Sequence, residues 1–87
     1  MRYLKKRLTV VNKENNQERM AIVINRYVEK MSKKGWIPLV GISAGNSYFY
    51  WEAYVRMCLP KNAEEREKAV KDAFENGWQC KNGVWSL

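Results

Sequence analysis

Eighty-seven residues, 46% of them apolar, suffice for one small domain with a thin core and exclude two. The net charge of +7 is unevenly placed: residues 1–34 carry ten lysines and arginines against three glutamates, and residues 35–87 balance at six against six. With no histidine and only Cys58 and Cys80, the chain lacks the residues for a zinc cluster, a disulfide framework or histidine-based acid–base catalysis.

Residues 2 to 12 alternate polar and apolar and become β-branched from Thr9 onward, the pattern of a strand. The basic start "RYLKKRLTVV" holds no uninterrupted apolar run of the kind a signal peptide needs, and nothing later approaches membrane-spanning length. A soluble, cytoplasmic protein with reduced thiols and no membrane partner is the expectation. After "KENN", the recurrence of Met20, Val23, Ile24, Tyr27, Val28 and Met31 predicts an amphipathic helix to about Lys34. Asn15 and Glu18 are spaced as a capping box at its start, and Gly35 is placed to end it. Its outer side, with Arg19, Arg26, Lys30, Lys33 and Lys34, reads as a solvated basic ridge.

Trp36 opens a second strand, "WIPLVGIS", in which Pro38 cannot donate to a ladder and points to an edge. "SAGNS" reads as a hairpin loop around Gly45 and Asn46. A ring-bearing third strand runs to about Leu59, where Pro60 stops it. Asn62 and Glu65 form a second capping box ahead of "AEEREKAVKDAFEN", a helix with Ala69, Val70, Ala73 and Phe74 facing inward. Gly77 ends that helix, and Trp78 begins a last strand that Asn82 and Gly83 fold back as a type I′ hairpin.

The order β-α-β-β-α-β, with "KKGW" and "ENGW" closing its two helices, fits a single ferredoxin-like α+β domain over residues 1–87. That plan has a four-stranded antiparallel sheet, both helices on one face, and strands one and three in the centre. The layout of helix, "KKGW", hairpin, strand with "YVR", helix and "NGW" resembles a group of small bacterial domains that share it. The resemblance covers roughly residues 16 to 80, is carried by Gly35, Trp36, Tyr54, Arg56, Gly77 and Trp78, and implies no activity.

Period-two alternation then sorts the rings. Phe49, Trp51, Ala53, Val55 and Met57 share the face toward the helices, which makes Phe49 and Trp51 core residues. Tyr48, Tyr50, Glu52, Tyr54 and Arg56 share the other face, beside Tyr3, Lys5, Arg7 and Thr9 of the first strand. A helix-free face bearing Tyr3, Tyr48, Tyr50 and Tyr54 with Lys5, Arg7 and Arg56 suits an anionic partner. Rings stack on the bases of a single-stranded nucleic acid and cations follow its backbone. Glu52 opposes that reading, and the Gly- and Phe-rich strand motif of RNA-recognition modules is absent. The alternative is a protein interface, since Tyr and Arg are common hot-spot residues. It would belong to a small inhibitor or adaptor of the kind phages and mobile elements encode against a host or defence protein, with an acidic protein surface or a second copy (a homodimer) as partner. A third reading is a solvated strand face with no partner.

Catalysis is not expected, nor is any cofactor or metal. "GISAGNS" lacks the spacing of a phosphate loop, and Cys58, on the open-face parity, has no identifiable base and reads as a passive thiol. Histidine-free RNA cleavage would have to rest on Lys5, Arg7, Tyr54 and Arg56.

Overall fold

A computed structural model describes residues 1–39 and 43–87. In chain order the elements are β1 (Arg2–Val11), α1 (Asn16–Ser32), β2 (Ile37–Pro38), β3 (Ser43–Asn46), β4 (Tyr50–Leu59), α2 (Ala63–Glu75), β5 (Gln79–Lys81) and β6 (Val84–Ser86). The two segments with the clearest alternation, β1 and β4, pair antiparallel from Arg2 opposite Leu59 to Val11 opposite Tyr50. β4 is central, with β1 along one side and both β2 and β3 along the other. β5 and β6 pair with each other as a separate hairpin. The α+β class and the antiparallel sheet are as the sequence suggests. The last strand, however, does not extend the sheet, so among the described residues β1 is an edge and not a centre.

The second strand is split. Pro38 lies opposite Met57 and Ser43 opposite Tyr54, so five steps on this side match three on β4. Residues 40–42 of the expected strand "WIPLVGIS" fall outside the described residues. "SAGNS" is not the loop: Ser43 to Asn46 continue the ladder opposite Tyr54 to Trp51. The chain turns at residues 47–49 instead. Ser47 donates its amide to the Tyr50 carbonyl at 2.8 Å, and its hydroxyl oxygen accepts from the amides of Phe49 and Tyr50 at 3.3 and 3.2 Å. A serine hydroxyl that satisfies two turn amides fixes the reversal there, past the Gly-Asn pair.

The helix ends follow from local chemistry. At the start of α2, Asn62 accepts from the Glu65 amide at 2.9 Å, and the Glu65 carboxylate accepts from the Lys61 amide at 3.1 Å. At the start of α1 the expected Asn15–Glu18 box does not form. Asn15 is left-handed, with φ of 60°, and its side chain makes no cap bond. Asn16 takes over, accepting from the Lys13 amide at 2.8 Å and donating to the Asn12 side chain at 2.7 Å.

Both helices end alike. Gly35 donates to the Ser32 carbonyl at 2.9 Å and Trp36 to Met31 at 3.2 Å; Gly77 donates to Phe74 and Trp78 to Ala73, each at 3.1 Å. The glycines have φ of 94° and 90°. This paired bonding satisfies carbonyls that the helix leaves open and needs a left-handed residue, hence Gly. The following Trp is buried at both sites, so one dipeptide stops the helix and seats a ring in the core. An alanine at either site should cost about 1–2 kcal/mol from backbone strain. Gly35→Ala and Gly77→Ala should lose similar amounts, because the alanine Cβ at 35 would make only an ordinary contact with Leu59 Cδ1 at 3.4 Å and at 77 would face open space. Urea denaturation of the two variants checks this; an unchanged midpoint in either would remove the backbone-strain argument.

Met20, Ile24 and Val28 of α1 join Ala53, Val55 and Met57 of β4 in one buried cluster. Trp51 is half-buried at its margin. Phe49, expected inside, is 73% exposed because the turn has displaced it from the strand, and Phe74 of α2 is half exposed. The two helices do not share a face. Cys58 and its partners Tyr3 and Ile37 have the parity of Tyr54 and Arg56, and a cavity of about 140 Å³ is lined by Tyr3, Leu39 and Cys58 together with Lys68, Ala69 and Asp72 of α2. α2 therefore lies over the Cys58 end of the face expected to be free of helices. Ile37, Leu39 and Cys58 make that end apolar, and the small Ala69 and Ala73 let the helix approach closely.

Candidate binding face on β1 and β4

What α2 leaves uncovered is the rest of that face. The register sets Lys5 opposite Arg56, Arg7 opposite Tyr54, Thr9 opposite Glu52 and Val11 opposite Tyr50. The side-chain contacts of Lys5 and Arg7 run diagonally across the pair, as the twist of an antiparallel pair allows. Lys5 Nζ stands 4.6 Å from the centre of the Tyr54 ring. Arg7 donates from Nε to Glu52 Oε2 at 2.7 Å and from Nη2 to Tyr50 Oη at 3.2 Å, with its guanidinium carbon 5.5 Å from the Tyr50 ring centre. The hydrogen bond and charge of Glu52 raise the pKa of Arg7 further above its already high value, so Arg7 is a fixed cation at every physiological pH. Glu52, which opposes an anion in the bare sequence, here orients Arg7 and offsets its charge. Lys5 and Arg56, directly across from one another, concentrate positive potential at their register.

Not every expected site residue reaches this cluster. Lys5, Arg7, Tyr50, Tyr54 and Arg56 do. Tyr3 has the right parity but stands at the α2 end, exposed, opposite Cys58. Tyr48 is not on the sheet: it lies in the turn, 86% exposed, its ring edge-to-face with Phe49 at 4.9 Å. β4 begins only at Tyr50, so strand alternation does not reach Tyr48. No protein-family model, curated protein or solved structure matches this chain. The face itself carries the functional reading.

Among the described residues no group of three or more His, Cys, Asp or Glu side chains could hold a metal, and no helix is long and apolar enough to cross a membrane. Cys58, placed on the open face by parity, is fully buried under α2; burial first, and then the Asp72 carboxylate, pushes its thiol pKa up. Cys80 is exposed. Iodoacetamide at neutral pH should therefore alkylate Cys80 in the folded protein and Cys58 only after unfolding in urea, as read by peptide mass spectrometry. Alkylation of Cys58 in the native state would mean that α2 opens readily.

Proposed function

We propose that this chain is a non-enzymatic, cytoplasmic binding module whose β1–β4 face engages an anionic partner, single-stranded nucleic acid being the class that uses its rings as well as its cations. The observation that carries the reading is the gathering of Lys5, Arg7 and Arg56 with the rings of Tyr50 and Tyr54 on one uncovered stretch of sheet. Arg7 is already oriented by Glu52, so less side-chain entropy is lost when a phosphate arrives. The element order is read as a ferredoxin-like order whose final strand has remained in its own hairpin. Fluorescence anisotropy of a labelled single-stranded RNA and its DNA counterpart, at low and moderate salt, tests the proposal. Micromolar binding that falls steeply with salt supports it, and no binding at low salt removes nucleic acid as the partner class.

One observation favours a second reading, a protein-interaction module such as a small mobile-element inhibitor. Tyr48 and Phe49 are exposed together on the turn, off the sheet face, and paired exposed rings are typical of protein contacts. Sedimentation of the same sample separates a monomer from a homodimer built on those rings.

A further inference from the structure

We infer that the free edge of β1 is a site of strand addition, and that the strand it takes is an acidic extended segment of another protein. The inference rests on Lys5 and Arg7 being recognition residues, as proposed above, and goes beyond that reading to a different occupant, a peptide strand that meets these cations through the sheet edge and not through the rings.

Among the described residues β1 pairs with β4 on one side and with nothing on the other. The hairpin that would have filled the vacant side is held on α1, where Trp85 donates its amide to Ser32 Oγ at 3.2 Å and Leu87 to Asn25 Oδ1 at 3.0 Å. The direction of the backbone groups on β1 follows from its end. Asn12 donates to the Phe49 carbonyl at 2.9 Å and so extends the ladder by one bonded pair. In an antiparallel pair bonded and non-bonded residues alternate, so the even-numbered residues of β1 bond to β4. Tyr3, Lys5, Arg7 and Thr9 then aim their N–H and C=O groups outward. Val11 fits this phase: its carbonyl is taken by the Arg19 guanidinium at 2.7 Å, which closes the edge at that end. The vacant run is from Tyr3 to Thr9.

The residues with outward backbone groups are also those whose side chains lie on the Tyr54 face. A peptide residue bonded to the backbone of Lys5 or Arg7 would set its side chain directly beside that cation. The strand that fits therefore carries carboxylates at alternate positions. A nucleic acid has no amide ladder to offer the edge. A second copy of β1 has the ladder but the wrong charge: antiparallel registers centred on Lys5, Lys6 or Arg7 each set cation against cation. Basic side chains are how sheet edges repel copies of themselves, and the same charges attract an acidic strand.

The test uses the full-length, isotope-labelled protein and a capped peptide alternating glutamate with valine or threonine. Amide hydrogen exchange followed by NMR should slow by about ten-fold or more at Lys5, Arg7 and Thr9 when the peptide binds, and should not change at Lys6 and Leu8, which already bond to β4. Thr9→Pro removes one outward amide without altering charge or the β1–β4 ladder, and should weaken the peptide by about ten-fold while protection at Lys6 and Leu8 is kept. Peptide binding without new protection at the odd positions would overturn the inference. So would failure of the peptide alongside tight, salt-sensitive oligonucleotide binding, which would leave the face reading standing; failure of both ligands would remove both. Protection of the odd amides that rises with protein concentration alone would overturn it in favour of a second copy.

Discussion

Trp85→Ala should lower the unfolding free energy by about 3–5 kcal/mol, the usual range for removing a buried large aromatic. Trp85 is 2% exposed although it belongs to a two-stranded hairpin, an element that is marginal by itself in water. Its ring lies 5.1 Å from that of Phe74 on α2, and its amide bonds to Ser32 Oγ, which in turn donates to the Val28 carbonyl within α1 at 2.6 Å. One residue thus ties the hairpin to both helices. The substitution keeps the residue-85 amide that bonds the buried Ser32 hydroxyl, so the expected loss is that of the ring's packing alone. Domains of this size have little stability in reserve, so the variant should be largely unfolded or close to it under conditions where the parent is native. Urea titration followed by circular dichroism measures the loss. A loss below about 1 kcal/mol with a reduced m-value would mean that the hairpin detaches without disturbing the sheet.

The features that could be read before folding are local ones. The Asn62–Glu65 box, the two Gly-Trp helix ends and the Asn82–Gly83 turn are each set by residues a few positions apart; Asn82 and Gly83 indeed take φ of 54° and 81° between Lys81 and Val84. The periodicity of α1 located Met20, Ile24 and Val28 correctly as its buried stripe. What misled was competition between local and long-range terms. Gly45 and Asn46 have turn propensity, yet pairing with Glu52 and Trp51 keeps them in a strand, and the reversal passes to Ser47. That shift moved Tyr48 and Phe49 off the sheet. The placement of α2 depends on which end of the face is apolar, and Ile37, Leu39 and Cys58 carried that signal on three positions of shared parity in two different strands. The Arg7–Glu52 contact needs the register of two strands 45 residues apart, which alternation within either strand does not supply.

Tyr54→Ala distinguishes the two ways the face can hold an anion. If Tyr54 stacks on a base, its loss should weaken single-stranded RNA by about 1–3 kcal/mol, and Tyr54→Phe, which keeps the ring, should retain most of the affinity. In the free protein Lys5 lies over that ring, so stacking requires the ammonium to move aside, giving up a contact of roughly 0.5–1 kcal/mol for one with phosphate. Lys5→Ala should then flatten the salt dependence by about 0.7 in logarithmic slope, one phosphate contact's share for a single strand. Arg7→Ala should do more than Lys5→Ala, because it removes a cation and also exposes the charge of Glu52, its partner at 2.7 Å. An acidic peptide on the β1 edge would reverse the ranking: Arg7→Ala and Lys5→Ala would weaken it and Tyr54→Ala would hardly matter. Anisotropy titrations of the same four variants with both ligands read out this ranking, and a tyrosine effect on RNA equal to its effect on the peptide would exclude base stacking.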